Sequence, residues 1–350
     1  MNARQAARRY PIARLMTDSL IERLLAAKRP FVVSQIKGIE SLTGATTEGW
    51  FIGCPMTPNM MVHRLPLESV YERIGECVRI AAAEGAEIIG LGAFTSVVGD
   101  GGVTIAERAP IAVTTGNSYT VATAIDGTLE ACRLLDMNLR DSTLAVVGAT
   151  GSIGRTCARV LAPSFGQTIL VGRDQARMEA VALDIPHSRA TTQVEALREA
   201  DAVVTVTSSE GEIIHPQHLK PGAMVCDVAR PRDVSTRVSR ERPDVLVIEG
   251  GVVAVPGQVE FGFDFGFPPH TAYACMSETM MLALEGRIEN FTIGKTVSVE
   301  QVEETRSMAL KHGFKLAGFR SFERAVDEAA IDRARKARRS TGARLAVRPT

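Results

Sequence analysis

The chain has 350 residues, which is enough for two domains of ordinary size. Hydrophobic residues make up 45% of it and charged residues 23%, a globular composition that excludes a largely disordered chain. Forty basic and forty acidic residues cancel, so the overall charge gives no basis for binding nucleic acid.

Six cysteines and six histidines are scattered along the chain. None forms a Cys-x-x-Cys pair or a zinc spacing, so the sequence predicts no metal site. The first residues, "MNARQAARRYPIARLM", are rich in arginine but contain no continuous apolar segment. No apolar run is long enough for a transmembrane segment. We therefore expect a cytoplasmic protein with reduced thiols.

Residues 1–138 are predicted to be the N-terminal part of a substrate-binding, catalytic domain. Apolar spacing and glycine breaks indicate a basic helical arm (1–28), strands (31–40 and 46–55), a helix (67–86), strands (87–94 and 110–118) and a helix (119–135). Ser118 is the expected cap of that last helix.

The pattern changes over residues 139–256. Short Val/Ile-rich runs, which are typical of strands buried on both faces of a parallel sheet, occur at 143–148, 168–172, 201–207, 223–228 and 244–250. This region is predicted to be a doubly wound, Rossmann-like NADP(H)-binding domain. Residues 257–319, with a Gly/Pro-rich loop (257–270) and a helix (271–286), are predicted to return to the first domain. The expected fold is α/β, with a second α/β domain built from both flanks.

The loop "AVVGATGSIG" (145–154) connects a predicted strand to a predicted helix. Gly148, Gly151 and Gly154 allow a tight turn and a close approach of the backbone to a pyrophosphate. The intervening Thr150, Ser152 and Ile153 are assigned to the same cofactor site, because the helix start offers N–H groups to phosphate. The strand-turn-helix context makes this a dinucleotide-binding motif.

NADPH is the expected cofactor. Arg173 follows the second strand, where NAD-binding folds place an acid, and Arg177 lies one turn on. Guanidinium groups pair well with a 2′-phosphate. Ser208, Gly250 and Gly251 follow later strands and are predicted to line the nicotinamide.

Cys275 is the candidate nucleophile, because a position near the start of a helix favours the thiolate form. A small core residue is the alternative for a lone helical cysteine. His270 is either its base or a polar residue at the helix start. Asn117 and Ser118, with Thr115, are candidate donors to a thioester or aldehyde oxygen.

Six blocks of the sequence occur together in one family. They are "GLGAFTSVV" (90–98), "TTGNSYT" (114–120), "AVVGATGSIG" (145–154), "EGGVV" (249–253), "AYACMSETMMLALEG" (272–286) and "KHGF" (311–314). From about Ser41 to Leu316 the chain resembles the long-chain acyl-[acyl-carrier-protein] reductases of cyanobacterial alkane biosynthesis. The loop at 254–270 departs from that family.

The resemblance implies a fatty-aldehyde-forming enzyme. In that family an aromatic-Ala-Cys-x-x-Glu block carries the nucleophile, and Cys275 and Glu278 match it. It implies that Cys275 takes the acyl group from an acyl carrier protein or CoA thioester and that NADPH reduces it. An aldehyde-consuming enzyme is then a possible partner.

Two other functions stay open on the sequence. One is a shikimate-dehydrogenase-like enzyme acting on a small polyol or amino acid, which needs a Lys–Asp pair; only Lys28 and Lys37 precede the cofactor domain. The other is a non-catalytic NADPH-sensing module.

Residues 320–350 carry nine basic and four acidic residues, an excess of five positive charges. They are predicted to be a solvated, frayed tail or a docking surface for an acidic carrier.

Overall fold

The computed structural model describes residues 16–346 apart from 210, 230 and 265. Within those residues no helix is both long enough and apolar enough to cross a bilayer. Most of the predicted basic arm lies outside the described residues, and the chain is first seen as helix α1 (Asp18–Ala27). Thr17 caps α1, because its side chain accepts a hydrogen bond from the Leu20 N–H at 3.3 Å.

A six-stranded parallel sheet forms the centre of the molecule, as the Val/Ile runs predicted. Its spatial order is β10-β9-β8-β5-β6-β7, which is a doubly wound arrangement. The strands are β5 (Thr143–Val147), β6 (Gln167–Val171), β7 (Ser188–Thr191), β8 (Ala202–Thr205), β9 (Met224–Asp227) and β10 (Leu246–Glu249). Sequence analysis missed β7, because this edge strand is short and polar and has no apolar run.

Helices cover the central sheet and connect its strands. The helices of this part are α4 (Asn117–Leu134), α5 (Ser152–Leu161), α6 (Gln175–Ala182) and the short α7 (Val238–Glu241). Helix α4 precedes the sheet and is buried along most of its length, including Val121, Ala122 and Ile125. Those side chains share one hydrophobic core with Leu144 and Val146 of β5, so the first flank is anchored directly on the cofactor domain.

The two flanks are joined through their strands. β1 (Phe31–Glu40) pairs antiparallel with β2 (Thr46–Gly53) and with β12 (Gly257–Glu260), which follows the central sheet in the chain. β3 (Ile88–Gly90) and β4 (Ala112–Thr114) form a small parallel pair. The predicted second α/β unit, built from both flanks, is therefore confirmed.

The remaining elements complete the flanks. They are α2 (Leu67–Ala83), α3 (Val103–Arg108), β11 (Val252–Ala254), β13 (Thr271–Tyr273), α8 (Ala274–Leu284), α9 (Val299–His312), β14 (Lys315–Leu316), β15 (Arg320–Ser321), β16 (Arg324–Ala325) and α10 (Glu328–Ala346).

Two predicted helix starts were wrong. The helix expected over 271–286 begins only at Ala274, because residues 271–273 form β13 and pair with β11. Helix α4 begins at Asn117, with Gly116 in its cap position at φ +72°, so Ser118 lies inside the first turn and is not the cap. Cys275 and Ser118 are therefore each the second residue of a helix.

The C-terminal segment is not a frayed tail over its described length. Helix α10 packs against the central domain through the fully buried Ala334. The Arg338 guanidinium donates to the Asp201 carboxylate at 2.8 Å and to the Ser142 hydroxyl at 3.0 Å. Asp201 and Ser142 directly precede β8 and β5. Helix α10 therefore lies at the amino edge of the sheet, opposite the edge where doubly wound folds bind ligands, which contradicts a carrier dock at the cleft mouth.

Candidate active site

The loop after β5 is built for a ligand that approaches the backbone closely. Gly148 has φ +86°, and a Cβ there would meet the Val206 carbonyl oxygen at 2.7 Å. A Cβ on Gly154 would lie 2.4 Å from the Gly148 carbonyl oxygen. Both positions therefore require glycine, as the motif predicted. A Cβ on Gly151, the cap of α5, would be only in ordinary contact, 3.4 Å from the same oxygen.

Helix α5 directs its first N–H groups toward this loop. Ser152 and Ile153 open the helix and are half-buried, as is Thr150 before them. The first N–H groups of any helix lack intrahelical acceptors and carry partial positive charge. The loop therefore fits a pyrophosphate, because the glycines leave space where the helix presents donors.

Arg173 and Arg177 lie beyond the end of β6, next to this loop. Both side chains are exposed. Between them Asp174 caps α6, its carboxylate accepting the Arg177 N–H at 3.1 Å. The Asp174 carboxylate is therefore hydrogen-bonded to its own helix. Arg173 is exposed to solvent at the position where a 2′-phosphate would lie in this fold.

The carboxyl ends of β8 and β10 carry the other predicted cofactor residues. Ser208 is exposed after β8, and Gly250 and Gly251 are buried after β10. A Cβ on Gly250 would meet the Cys226 Sγ at 2.9 Å, so this turn also needs glycine. All three lie at the ligand-binding edge of the sheet.

The buried Asp233, which sequence analysis missed, fixes the loop after β8. Its carboxylate accepts the Thr205 and Thr207 hydroxyls, each at 2.5 Å, and the Thr207 N–H at 3.0 Å. A carboxylate that holds two hydroxyls and one amide in one geometry makes the strand end rigid. No local pattern indicates this role, because the contacts span 26 and 28 residues.

Cys275 is the second residue of α8 and is half-buried. It is not in a disulfide. The backbone of Gly116 lies directly against it, since a Cβ on Gly116 would come within 2.2 Å of the Cys275 Cα. The N-terminal ends of α4 and α8 therefore meet at Cys275, and their dipoles favour negative charge there.

Glu278, one turn after Cys275, is fully buried and connects these two helix starts. Its carboxylate accepts the Thr114 hydroxyl at 2.5 Å, the Ser118 hydroxyl at 2.6 Å and the Tyr119 N–H at 2.9 Å. Burial raises the pKa of the Glu278 carboxyl, although these hydrogen bonds act in the opposite direction. Glu278 therefore holds the start of α4 against the start of α8.

The two side chains predicted as donors differ in what they contact. The Ser118 hydroxyl donates to Glu278 and accepts from the Thr292 hydroxyl at 2.9 Å, so it supports the site from behind. Thr115 donates to the Thr292 carbonyl oxygen and is also engaged. Asn117 is only 5% exposed, and its side-chain amide makes no hydrogen bond to another residue in the described part of the chain. Of these side chains, the Asn117 amide is the one left for a ligand.

His270 is not a helix-start residue, because β13 separates it from α8. Its role as the base for Cys275 stays a prediction. Across residues 16–346, excluding the three gaps, no group of three or more His, Cys, Asp or Glu side chains is arranged to hold a metal ion.

A cavity of about 490 Å³ lies away from these residues. Glu87, Ala112 and Asn290 line it, at the amino ends of β3 and β4. The residues around Cys275 lie at the other ends of the same strands, next to Gly90 and Thr114. The cavity is therefore not part of the candidate active site.

Comparison with known proteins supports the assignment of the central domain. Residues 130–249 match the shikimate / quinate 5-dehydrogenase family, and this range contains the whole parallel sheet. The glutamyl-tRNA reductase of Methanopyrus kandleri is 23% identical over 54% of this chain and 47% of its own, but with a TM-score of 0.31 the superposition is too loose to argue from.

Two curated proteins match most of the chain. "Aminotransferase PigE" from a Serratia species is 32% identical over 83% of this chain, which spans 35% of the length of that protein. "Long-chain acyl-[acyl-carrier-protein] reductase" from Synechococcus elongatus is 28% identical over 82% of this chain and 87% of its own length. The glycine loop, the doubly wound sheet and the family match lead to one conclusion: the chain contains a Rossmann-type NAD(P)H-binding domain.

Proposed function

We propose that the protein reduces a long-chain acyl thioester to an aldehyde through an acyl group carried on Cys275. The observation that carries the proposal is the placement of Cys275 at the start of α8, against Gly116, with Glu278 organising the surrounding loop. The Synechococcus relative supports it, because its match spans both the cofactor domain and this site. Its name suggests an acyl carrier protein thioester as substrate, with acyl-CoA as the smaller alternative.

Cys275 performs the first step. Its thiolate attacks the thioester carbonyl carbon, a new carbon–sulfur bond forms, and the carrier sulfur leaves and takes up a proton as the thiol. The helix dipoles that meet at Cys275 favour the thiolate before attack. The cysteine side chain is half-buried, so it contacts the substrate in a partly desolvated environment.

Asn117 would stabilise the oxygen of the substrate carbonyl. This residue follows Gly116, which touches Cys275, and its amide is not hydrogen-bonded within the described residues. An amide donor aimed at a developing oxyanion lowers the barrier to attack. Ser118 and Glu278 act as positioning residues, because their polar atoms face each other.

NADPH, when bound, supplies the hydride that converts the Cys275-bound acyl group into an aldehyde, and one proton returns the cysteine to its thiol. Gly148, Gly151 and Gly154 would hold its pyrophosphate, and Ser208, Gly250 and Gly251 would border its nicotinamide. Arg173 and Arg177 would hold the 2′-phosphate that distinguishes NADPH from NADH.

The other functions are supported less well. The match to the shikimate / quinate 5-dehydrogenase family ends at residue 249, before Cys275, and so covers the cofactor domain alone. Lys28 and Lys37 are exposed, and the Lys28 ammonium lies 4.0 Å from the centre of the Phe31 ring. The PigE match spans about a third of that protein, so its named activity is not assigned to this chain.

The proposal is tested by incubating the protein with a long-chain acyl-CoA or acyl carrier protein thioester. Without NADPH, intact-protein mass spectrometry should show one acyl adduct, mapped by proteolysis to Cys275. With NADPH, aldehyde should form, and Cys275→Ala should abolish both signals while leaving NADPH binding within a few-fold. Aldehyde formation at an undiminished rate by Cys275→Ala would exclude the covalent route. A pure NADPH sensor would give neither adduct nor aldehyde with any thioester.

A further inference from the structure

Aromatic rings of the segment that departs from the resembled family (254–270) pack in two groups, one against Phe51 of β2 and one against Tyr273 before α8. The centre of the Phe51 ring, on β2, lies 6.0 Å from that of Phe261 and 6.2 Å from that of Phe263. The Phe267 ring stands edge-on to the Tyr273 ring, with their centres 4.4 Å apart. We call these five residues the aromatic wall.

The aromatic wall includes residues at the cap of α8 and on the strand that packs against α8. Tyr273 is the cap residue of α8, two positions before Cys275. β2, which carries Phe51, packs against α8. Aromatic rings therefore lie at the cap of α8 and on the strand that packs against this helix.

The backbone around Phe261 is joined to β1. The Ser34 hydroxyl donates to the Phe261 carbonyl oxygen at 2.7 Å, which joins the segment to β1. The Asp264 carboxylate accepts the Gly266 N–H at 2.7 Å within the turn that follows. Gly262 has φ +62°, and a Cβ there would lie 3.0 Å from the Gln35 carbonyl oxygen. These contacts hold the backbone of residues 261 and 262 against β1, which reduces the ordering that a ligand would have to induce there.

Four rings of the wall are only half-buried, whereas Phe261 is buried behind them. Apolar rings next to a reactive thiol gain stability when an apolar ligand covers them. The acyl chain of a thioester attacked by Cys275 must lie close to that thiol, and Tyr273 and Phe267 are the nearest members of the wall along the chain. Phe263 is four residues farther and contacts the sheet.

We propose that the aromatic wall binds the hydrocarbon chain of the substrate and that Phe263 sets the longest chain that fits. The inference rests on the proposed function, because it concerns the same thioester. Each methylene buried against the wall is worth about a fourfold gain in affinity. The gain should stop at the carbon that reaches Phe263.

The first experiment measures KM for NADPH-dependent reduction of saturated acyl-CoAs of increasing length. In the wild-type protein KM should fall by up to about fourfold per added methylene and then level off. In Phe263→Ala it should level off at a longer chain, and in Phe263→Trp at a shorter one. Phe31→Ala is the matched control, since Phe31 is exposed on β1 and contacts Lys28 instead; its profile should match the wild type. Unchanged profiles in both Phe263 variants would overturn the assignment.

A second measurement does not depend on turnover. The Cys275→Ala protein is titrated with cis-parinaric acid, a fluorescent fatty acid, and energy transfer is recorded from Trp50, the single tryptophan, which neighbours Phe51 on β2. In the Cys275→Ala protein, the further change Phe263→Asp places a charge on the wall and should weaken binding of the fatty acid at least tenfold, with NADPH binding preserved. If binding weakens in this way but the wild-type protein reduces no thioester, the proposed reaction fails and the chain-binding wall stands. Equal fatty-acid binding by the Cys275→Ala protein with and without Phe263→Asp would refute the wall.

Discussion

Gly116 and Cys275 touch through their backbones. A Cβ on Gly116 would lie 2.4 Å from the Cys275 Cβ and 2.2 Å from its Cα, and Gly116 holds φ +72°. Gly116→Ala therefore cannot be accommodated without separating the starts of α4 and α8. We expect at least a hundredfold loss in the rate of acyl-adduct formation, with NADPH binding preserved because the glycine loop at 148–154 is not part of this contact.

The control is Gly49→Ala, on β2, where a Cβ meets nothing within 4 Å. Quenching the acylation reaction at successive times and measuring the adduct by mass spectrometry gives the rate of acyl-adduct formation. Wild-type acylation by Gly116→Ala would show that the contact has no part in catalysis.

Arg173 should discriminate between the two nicotinamide cofactors. A charge-assisted bond to phosphate is worth roughly 1.5–3 kcal/mol, so Arg173→Ala should weaken NADPH binding about 10- to 100-fold and leave NADH binding nearly unchanged. Fluorescence titration with both cofactors measures this. Arg189→Ala is the control, since Arg189 lies on the neighbouring β7 and pairs with Glu199. Equal losses for NADPH and NADH would remove Arg173 from the 2′-phosphate site.

The buried Glu278 makes stability depend on pH. Burial raises its pKa in the folded protein above the ordinary value of 4.5. Its contribution to stability is then fully present below pH 4.5 and is lost as the pH rises through the folded-state pKa. Relative to the wild type, Glu278→Gln should therefore become progressively more stable as the pH increases above 4.5. Urea unfolding of both proteins across that range tests this, and parallel pH profiles would contradict the assigned direction.

Helix α10 should contribute to stability rather than to substrate encounter. Arg338→Ala removes hydrogen bonds to Asp201 and Ser142 at the amino edge of the sheet, and a loss of about 1–3 kcal/mol in unfolding free energy is expected. Arg339→Ala is the adjacent control: its ion pair with Asp136 is exposed, so its effect should be about 0–1 kcal/mol.

Unfolding in denaturant measures the loss of unfolding free energy in Arg338→Ala and in Arg339→Ala. The KM for an acyl carrier substrate should be the same in all three proteins, because α10 lies at the edge away from the cofactor loop. A salt-dependent rise in KM for Arg338→Ala without loss of stability would restore the docking interpretation.

Local sequence signals predicted the features that depend on neighbouring residues. Five of the six parallel strands followed from runs of Val and Ile, and the glycine spacing at 148–154 followed from the space that a close backbone approach requires. β7 could not be found in this way, because an edge strand with polar residues has no apolar run.

Contacts between distant residues were not predictable from one sequence. Ser118 was expected to cap a helix, yet its hydroxyl donates to Glu278, 160 residues later. The docking of Arg338 on Asp201 spans 137 residues, so a segment that looked solvated is partly buried. Such pairs form because the topology brings strand ends and helix starts together, and a local pattern carries no information about that.

The hydrogen bond from the Ala274 N–H to the Gly251 carbonyl oxygen, 2.8 Å long, has a mechanical consequence. β11 and β13 continue this link for three residue pairs, so the start of α8, which carries Cys275, is joined to the last strand of the cofactor sheet by a short ladder. Separating Cys275 from that strand end would therefore require breaking several backbone hydrogen bonds. Hydrogen exchange should therefore be slow at the Ala274 amide and in the three residue pairs of the ladder.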